Sequence, residues 1–492
     1  MDKNSAVMIK KMSQSSFFIL ACVLIALRFL HFGTELDAPH DWRQSDTAFY
    51  IYDFYKNGID LLYPAVCWMA GSDTVILEFP LPEAIVAIFY QLFTESIPLA
   101  RFIFLSFFVG AVYYFYKVAD FLFGQELSRI STLVYLVLPL SIFYSRAIHI
   151  DFFVIMCSHA MFYYFLLAIQ QKKLAPLIMS VIACTMAFLI KIPYAFYFCL
   201  PMLAYLHLQK QWKWFVKYGI LFLIPIAAFI LWQKHVYAVN SLSPNWDFIL
   251  HYHPMTQSVG WYFGGLTQRL SLYSWKILLG RGILDVAGLG GKGFLFFGGF
   301  QSRNFNNRSI FYFWLAGVVL YVLIFFNLNF VHNYYQIPLL APVALVTGLG
   351  IQKLYAKYGI NVYLSIGLLA CLNFGYAEWA YYKIPKDYVE IAHLINTNTA
   401  ESDLVIVTYK NMDCRNPNIL YRSKRRGWSI EEAALNNSVL AQLTNNESAK
   451  YWAYIGNKLP ANFLNNIKHT AKLEKIGLQS NDQYFYLYQL RK

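Results

Sequence analysis

The chain has 492 residues, of which 58% are hydrophobic, 19% aromatic and only 14% charged. Soluble domains are about 45–50% apolar and about 25% charged, so this composition excludes an ordinary soluble protein and predicts a polytopic α-helical membrane protein. The formal net charge is +13, but the Lys and Arg residues lie in small groups at the ends of apolar runs. This distribution predicts membrane topology and no nucleic-acid partner.

The basic groups predict on which side of the membrane each loop lies. They precede the first apolar run and recur at alternate loops: Lys3, Lys10 and Lys11, then Lys172 and Lys173, then Lys210, Lys213 and Lys217, then Arg303 and Arg308, then Lys353 and Lys357. The positive-inside rule places these groups and the N-terminus in the cytoplasm. About eleven transmembrane helices follow, near 14–32, 101–121, 129–146, 152–171, 174–191, 194–209, 217–234, 282–300, 309–328, 337–354 and 360–378. The first outer loop, about residues 31–100, is then extracytoplasmic, as is every motif described below.

Three apolar runs depart from an ordinary span. The run from Phe17 to Leu30 resembles a signal peptide, but Arg28 interrupts it and no small-residue cleavage site follows, so we expect a retained first helix. Residues 80–93 are too short to span and contain Glu83, which favours an interfacial helix in the first outer loop. Residues 282–300 contain seven glycines, which makes this run the weakest predicted span.

From about residue 384 the composition becomes that of a soluble protein. The pattern predicts a helix near 389–396 and strands near 403–409, 451–455 and 483–487. We therefore divide the chain into a transmembrane domain, residues 1–383, and a small extracytoplasmic α/β domain, residues 384–492.

Two further features of the outer segments leave alternatives open. The basic group Arg422, Lys424, Arg425 and Arg426 favours a solvated turn over a phosphate site. Cys67 and Cys414 are the cysteines that would meet an oxidising compartment, and sequence alone does not decide whether they pair.

The most informative segment is the first outer loop, which is strongly acidic and has Arg43 and Lys56 as its Lys and Arg residues. Arg43 and Asp46 are three residues apart, and Asp46 and Tyr50 are four apart, so a short helix would present all three on one face. Such a face pairs a proton-accepting carboxylate with a cation, as transfer of a sugar from a lipid phosphate to a hydroxyl requires. The alternative is a structural salt bridge of Arg43 with Asp46 or Asp41, with Tyr50 as an interfacial aromatic residue.

Four short motifs carry a resemblance to a known family. They are Asp46-Thr47-Ala48-Phe49-Tyr50, Glu78-Phe79-Pro80-Leu81, Ser145-Arg146-Ala147-Ile148-His149-Ile150-Asp151 and His332-Asn333-Tyr334-Tyr335-Gln336-Ile337-Pro338. In their order and sidedness they resemble the membrane-embedded GT-C-type glycosyltransferases that use polyprenyl-phosphate sugars, such as the protein O-mannosyltransferases and aminoarabinose transferases of glycosyltransferase family 39. The resemblance covers most of residues 1–380 and implies a GT-C-like fold.

The resemblance implies that Asp46 is the catalytic base and that Tyr50 belongs to the same site. This chain has Thr47 where the family usually has Glu, and Glu78 where relatives can place a Lys for the donor phosphate. Phosphate binding is therefore expected from other residues. Asp151 matches a family acid that approaches a divalent metal ion or the acceptor. A metal held by Asp46 and Asp151 stays open, although the sequence has no CxxC or HExxH motif.

The candidates for binding the donor phosphate are Arg43, Arg146, Lys191, His332 and Tyr335. Each of the last four has a structural alternative. Lys191 ends a predicted span and can reach the interface as a snorkelling side chain. Arg146 can pair with Asp151 across the start of a helix. The motif that contains His332 and Tyr335 is also typical of an aromatic belt at headgroup level.

These observations predict an inverting glycosyltransferase that moves a sugar from a polyprenyl-phosphate donor to an extracytoplasmic envelope glycan, lipid or protein. The expected location is the bacterial inner membrane, with the active site and the soluble domain in the periplasm. The soluble domain is expected to cover the site or to bind the acceptor. The alternative is a transporter or flippase, which would place paired charges or broken helices near the bilayer midplane. A structural subunit of an envelope assembly is a third interpretation.

Overall fold

The computed structural model describes residues 13–70, 74–242, 259–301, 307–409, 415–456, 471–477 and 484–490. The helices up to residue 240 are α1 (Gln14–Ala26), α2 (Asp41–Asn57), α3 (Leu81–Leu92), α4 (Ile97–Phe123), α5 (Gln125–Val137), α6 (Pro139–Tyr144), α7 (Asp151–Gln171), α8 (Leu174–Lys191), α9 (Pro193–Phe196), α10 (Cys199–Leu208), α11 (Trp212–Tyr218) and α12 (Leu223–Asn240).

The second half continues with α13 (Val259–Phe263), α14 (Leu266–Leu270), α15 (Leu272–Arg281), α16 (Gly291–Gln301), α17 (Arg308–Ile324), α18 (Phe326–Val331), α19 (Leu340–Tyr358), α20 (Val362–Ala380) and α21 (Lys386–Asn398). It ends with β1 (Leu404–Tyr409), α22 (Asn418–Ser423), β2 (Arg426–Ser429), α23 (Asn437–Asn445), β3 (Tyr451–Gly456), β4 (Ala471–Gly477) and β5 (Tyr484–Leu490). A π-turn, Gly282–Val286, extends α15, and a 3₁₀ segment, Asn333–Leu339, leads into α19.

Six helical stretches of the described residues are long and apolar enough to cross a membrane: Gln14–His31, Ile97–Phe123, Asp151–Gln171, Leu174–Lys191, Trp212–Asn240 and Asn333–Tyr358. A pair of helices, Leu272–Val286 and Gly291–Gln301, makes a seventh if it is one span, and it is bent by 99°. These helices confirm the predicted polytopic α-helical membrane class. The predicted number of about eleven is not confirmed, because several predicted spans are short or interrupted. Pro139 begins a new helix after the 13 residues of α5, and α10 has only 10 residues.

The chain forms two compact units. The first unit comprises Met1–Thr34, Ile97–Trp232 and Met255–Tyr382. The second unit comprises Glu35–Ser96, Gln233–Pro254 and Lys383–Lys492. The second unit therefore combines the first outer loop with the segment in which the sequence predicted a soluble α/β domain.

The first unit is a helical bundle that contains the hairpin of α7 and α8. Lys172 ends α7 in the left-handed conformation, with φ of 54°, and Lys173 precedes the first residue of α8. Because the connection is so short, the two helices run antiparallel and the end of α8 returns to the start of α7. Helix α4 packs against α7 of this hairpin, and α5 packs against α4 and α19.

The glycines of residues 282–300 allow the chain to bend and allow two helices to pack closely. Gly288 has φ of +76°, a conformation that few other residues adopt, and it lies at the bend between the π-turn and α16. A Cβ at Gly298 would lie 2.0 Å from the carbonyl oxygen of Val346 in α19. The composition that made this run a weak straight span therefore fits a broken helix packed closely on its neighbour.

The second unit is built on a five-stranded sheet of order β2-β1-β3-β5-β4. Strand β1 is parallel to β2 and β3, and β5 is antiparallel to β3 and β4. Helices α22 and α23 lie in the crossovers between the parallel strands, as such connections require. The three predicted strands are confirmed as β1, β3 and β5.

The first outer loop belongs to the core of this sheet. The Gly427 amide donates a hydrogen bond to the Cys67 carbonyl (2.9 Å), and the Ala70 amide donates to the Gly427 carbonyl (3.0 Å). The loop thus pairs with strand β2. The buried rings of Trp68 and Trp428 lie in one hydrophobic cluster. Segments more than 300 residues apart in sequence therefore share one core.

The prediction of a solvated turn for the basic group at residues 422–426 is wrong for two of its members. Arg422 donates to the Asn418 side-chain oxygen (2.8 Å) and to the Leu36 carbonyl (2.9 Å). Arg425 is buried and donates to the Thr399 carbonyl (2.7 Å). Both guanidinium groups are thus structural, because they satisfy backbone carbonyls that would otherwise lose their hydrogen bonds.

Whether Cys67 and Cys414 form a disulfide stays open, because Cys414 lies outside the described residues.

We expect Gly298→Ala to destabilise the first unit, because the added Cβ would collide with the Val346 carbonyl oxygen. Overpacking of this kind typically costs about 1–3 kcal/mol. Gly299→Ala is the matched control: the position is adjacent in α16, and its Cβ would meet no described atom within 4 Å. Thermal unfolding in detergent should give a lower melting temperature for Gly298→Ala only. Equal melting temperatures for the two variants would contradict the close approach of α16 and α19.

Candidate active site

Helix α2 carries Arg43, Asp46 and Tyr50, the three residues that the sequence predicted on one helix. The helix has Asp41 in its first turn, where a negative charge favours the helix dipole. It ends at Gly58, whose φ of 96° stops helical hydrogen bonding. The predicted helical spacing is thus realised in a helix of 17 residues, longer than the predicted short one.

The C-terminal segment of the second unit anchors the start of α2. The Ser45 hydroxyl donates to the Asn418 side-chain oxygen (2.8 Å). Asp41 pairs with Arg422, whose nitrogen lies 3.4 Å from the carboxylate. Asp41 therefore attaches α2 to α22, and the alternative in which Asp41 pairs with Arg43 is not needed to explain its charge.

Asp46 is a buried carboxyl with two polar neighbours in the second unit. It is 5% exposed, and its Oδ1 accepts a hydrogen bond from Trp68 Nε1 (3.0 Å). Its Oδ2 lies 3.9 Å from Arg43 Nη1. Arg43 makes a closer ion pair with Glu78. The guanidinium is thus shared between two carboxylates, and the nearer one is not Asp46.

This environment gives Asp46 an unusual affinity for a proton. Burial raises the pKa of Asp46 to about 7. Arg43, the hydrogen bond from Trp68 and the charge of Arg415 lower this pKa, and Glu78 raises it. A carboxyl whose pKa lies near neutral pH is suited to take a proton from a substrate and release it again.

Tyr50 is held by the backbone of the outer loop. Its hydroxyl donates to the Val75 carbonyl (2.5 Å) and accepts from the Leu77 amide (3.0 Å). The Asn240 side chain bonds both backbone groups of Ile76, at 2.9 and 2.8 Å. Tyr50 therefore fixes the part of the loop that leads to the ion pair with Arg43, and direct contact of Tyr50 with a substrate stays a prediction.

In the first unit, the α7–α8 hairpin brings Asp151 and Lys191 together. Asp151 begins α7 and Lys191 ends α8, and Lys191 Nζ lies 2.6 Å from Asp151 Oδ1. His149 Nδ1 lies 3.2 Å from the other carboxylate oxygen. Asp151 is therefore held by Lys191 and His149, and the alternative pairing with Arg146 is not required to compensate its charge.

Three tyrosine rings surround the ammonium group of Lys191. Their centroids lie 4.2 Å (Tyr335), 4.7 Å (Tyr194) and 4.7 Å (Tyr334) from Nζ, within the range of cation–π attraction. The Lys191 side chain is only 8% exposed, so it does not snorkel to an interface. The ring positions are fixed in turn, because the Tyr194 hydroxyl donates to the Tyr334 carbonyl (2.8 Å).

The other predicted phosphate ligands of this unit also lie against aromatic rings. His332 stacks on Tyr334, with ring centroids 5.0 Å apart. The Arg146 guanidinium lies 4.5 Å from the Tyr382 centroid and 5.6 Å from that of Phe143. His332 therefore joins the tyrosine cluster described above, whereas Arg146 packs against a different pair of rings.

The residues considered for a metal ion do not form a metal site. Among the described residues, no group of three or more His, Cys, Asp or Glu side chains is arranged to hold a metal. Asp46 faces Arg43, and Asp151 pairs with Lys191. Carboxylates with cationic neighbours are poor ligands for a divalent cation, so this donor set does not fit one.

Sequence reasoning missed Trp68, Glu83 and Tyr194. Trp68 lies in an irregular loop, where no spacing connects it with Asp46. In the sequence, Glu83 interrupts an apolar run; in the folded chain, burial raises its pKa to about 8, so that it is mostly uncharged at neutral pH. An acid inside a short apolar helix is the signal that identifies such a group.

The sequence model of the dolichyl-phosphate-mannose-protein mannosyltransferase family matches residues 78–237. That range includes Glu78, Asp151 and Lys191 and excludes Asp46. No curated protein matches the chain.

The fold is similar to that of solved membrane proteins. ArnT from Cupriavidus metallidurans bound to undecaprenyl phosphate is 12% identical, with a TM-score of 0.69 over 97% of this chain and 98% of that chain. The oligosaccharyltransferase AglB from Archaeoglobus fulgidus, in complex with an inhibitory peptide and a dolichol-phosphate, is 12% identical, with a TM-score of 0.53 over 89% of this chain and 69% of that chain. The arabinofuranosyltransferase AftD from Mycobacteria is 12% identical, with a TM-score of 0.54 over 98% of this chain and 42% of that chain. At these identities the similarity establishes the fold.

We expect Asp46→Asn to change the pH dependence of stability. The folded-state pKa of about 7 lies above the ordinary value of 3.8. The stability that proton binding contributes is therefore fully present below pH 3.8 and is lost as the pH rises through 7. The variant cannot ionise at this position, so its free energy of unfolding relative to wild type should increase by roughly 2–3 kcal/mol between about pH 5 and about pH 8.

Denaturant unfolding in detergent at these two pH values measures the difference. Glu83 is present in both proteins, so its own titration cancels in the comparison. A difference between variant and wild type that does not change with pH would contradict the raised pKa of Asp46.

Proposed function

We infer that the chain is a GT-C-type membrane glycosyltransferase, because nearly its whole length has the fold of ArnT and part of it matches the dolichyl-phosphate-mannose-protein mannosyltransferase family. We propose that it transfers a sugar from a polyprenyl phosphate to an extracytoplasmic hydroxyl group, with inversion at the anomeric carbon. The observation that carries the proposal is the buried carboxyl of Asp46 beside Arg43. The pKa of this carboxyl, about 7, suits a general base.

In the proposed reaction, the acceptor oxygen forms a bond to the anomeric carbon while the bond from that carbon to the phosphate oxygen breaks. The hydroxyl proton passes to the Asp46 carboxylate, and the bonding electron pair leaves with the polyprenyl phosphate. Trp68 orients the carboxylate through its hydrogen bond of 3.0 Å to Oδ1. Arg43 keeps the ionised form accessible, because it lowers a pKa that burial raises.

The departing phosphate requires fixed positive charge. We propose that Lys191 supplies it, because Asp151 and three tyrosine rings hold its ammonium group in one place. A charge that is already positioned stabilises the transition state without reorganisation during the reaction. The residues proposed to assist are Arg43, Arg146, His332 and Tyr335.

The donor class, the acceptor and the location belong to the same proposal. The ArnT structure contains undecaprenyl phosphate and the AglB structure a dolichol-phosphate, so we propose that this chain also uses a polyprenyl-phosphate carrier. We propose a bacterial inner-membrane protein with a cytoplasmic N-terminus. Residues 384–492 are then a periplasmic domain that contacts an envelope glycan, lipid or protein acceptor.

The bent pair Leu272–Val286 and Gly291–Gln301 is the feature that a transporter or flippase would share. A transporter moves a labelled lipid-linked sugar across the bilayer without forming a glycosidic bond. The transfer experiment described next distinguishes the two functions, because it measures the covalent product.

We expect Asp46→Asn to lower sugar transfer by about a hundredfold or more, because the variant lacks the group that accepts the proton. The assay uses reconstituted vesicles, radiolabelled polyprenyl-phosphate sugars and a membrane extract as the acceptor pool. Asp53→Asn is the matched control, because Asp53 is also a buried carboxylate of α2 with an arginine partner, Arg426. Transfer that is unchanged in Asp46→Asn, or equally lost in both variants, would remove Asp46 from the chemistry. Label that crosses the bilayer without a product would favour the transporter.

We expect Lys191→Met to raise the KM for the donor about tenfold or more, because a charge-assisted contact to the phosphate is lost. Lys191→Arg keeps the charge and should give an intermediate KM. Lys173→Met is the control, because Lys173 is exposed and precedes the first residue of the same helix, α8. A donor KM and a kcat that both stay at their wild-type values in Lys191→Met would contradict the proposal that Lys191 binds the donor phosphate.

A further inference from the structure

We propose that Arg281 and Asp285 form a clamp that positions His332, Tyr334 and Tyr335 and thereby sets the affinity for the donor phosphate. The two residues are four positions apart on the bent helix pair. The inference rests on the proposed function and deepens it, because it assigns positioning residues to the same phosphate site.

Asp285 is a buried acceptor in the π-turn that extends α15. Asp285 is only 8% exposed. Its Oδ1 accepts a hydrogen bond from the Tyr376 hydroxyl (2.7 Å), and its Oδ2 accepts one from Asn333 Nδ2 (3.3 Å). Asn333 is the first residue of the 3₁₀ segment Asn333–Leu339. Hydrogen bonds to a buried carboxylate are charge-assisted, so Asp285 restrains the start of this segment strongly.

Arg281 holds the chain on the other side of His332. Its Nη1 donates to the carbonyl of Asn329 (3.1 Å) and to that of Phe330 (2.5 Å). Both carbonyls lie in the last turn of α18, where helical hydrogen bonds run out. Arg281 therefore holds the residues that precede His332 by hydrogen bonds, and Asp285 holds Asn333, the residue that follows His332.

The charges themselves indicate that the clamp is functional. Asp285 is the single acidic residue of the sequence between residues 248 and 377. An ionisable residue inside a membrane-spanning segment is costly and usually marks a functional site, and π-turns are frequent at such sites. Arg281 offsets the charge of Asp285 from one helical turn away. The pair thus directs two opposite charges at one segment while adding no net charge.

The clamp reaches the lysine site through short contacts. Asn333 Oδ1 accepts a hydrogen bond from the Tyr144 hydroxyl (2.7 Å). The Tyr144 ring packs edge-on against His149, with centroids 5.4 Å apart. Tyr334 and Tyr335, the next residues after Asn333, carry two of the three rings around the ammonium group. A shift of Asn333 would therefore move those rings.

The experiment uses the full-length protein in detergent and undecaprenyl phosphate as the binding probe. In Asp285→Asn, the new amide nitrogen faces either the Asn333 amide nitrogen or the Tyr376 hydroxyl, so one of the two hydrogen bonds is lost. The substitution also removes the negative charge that balances Arg281. We expect the donor KM to rise about tenfold and thermal stabilisation by undecaprenyl phosphate to weaken in parallel. The kcat should stay within about twofold of wild type, because neither residue contacts the reacting atoms in this account.

Two further variants and a control make the result specific. The double variant Asp285→Asn/Asn333→Asp exchanges the two groups, which restores a donor, an acceptor and the charge, and should recover most of the lost donor affinity. Tyr376→Phe removes one hydrogen bond without changing charge, so it should raise the donor KM by a smaller factor and keeps the test valid if Asp285→Asn does not fold. Ser180→Ala is the control, because Ser180 is also a buried side chain of the first unit, bonded to the Met161 carbonyl (2.8 Å).

Recovery of donor affinity in the exchanged double variant supports the clamp, because it shows that the contact between residues 285 and 333, and not the acid at 285 alone, sets that affinity. Wild-type donor affinity in Asp285→Asn, or a loss that the exchange does not recover, would overturn the clamp and leave the proposed function standing. A wild-type protein that neither transfers sugar nor is stabilised by undecaprenyl phosphate would overturn the proposed function and the clamp together.

Discussion

The burial of charge beside opposite charge is the interaction on which both groups of candidate residues depend. An isolated charge out of water is costly, so each buried ion must have a partner. Lys191 and Asp151 lie 2.6 Å apart, so each compensates the charge of the other. Asp46 is less fully compensated, because its arginine, at 3.9 Å, makes a closer contact with another carboxylate. Burial raises the pKa of Asp46 to about 7, because Arg43 compensates its charge only in part, so Asp46 can exchange a proton near neutral pH.

The position of Asp46 depends on the core of the second unit. Helix α2 carries the carboxyl, and the outer loop carries Trp68, its hydrogen-bond donor. Both are fixed by contacts with the C-terminal sheet and its helices, including the pairing of Cys67 and Ala70 with Gly427. Catalytic groups need support that holds them to within a fraction of an ångström. The α/β segment therefore contributes to the proposed chemistry by holding the base, in addition to any contact with an acceptor.

Local pattern was sufficient for some features and not for others. The spacing of Arg43, Asp46 and Tyr50 predicted a helix because helical neighbours are set by the chain itself. The partner of Arg43 was not predictable from spacing. Glu78 reaches Arg43 because Tyr50 fixes the loop that precedes Glu78. The shared core of the outer loop and the sheet depends on pairing between distant segments, which no local period encodes. The glycines near Asp285 correctly predicted that this run is not a straight span. They did not predict that a bent helix pair would contain a buried acid.

The most direct test of the account is the pH dependence of kcat/KM for sugar transfer, measured for wild type and for Asp46→Asn with the same polyprenyl-phosphate donor. The wild-type rate should rise with pH and level off above an apparent pKa of about 7, because Asp46 must be ionised to accept the proton. The residual rate of Asp46→Asn should lack this limb. The same limb in both proteins would contradict the assignment of Asp46 as the general base.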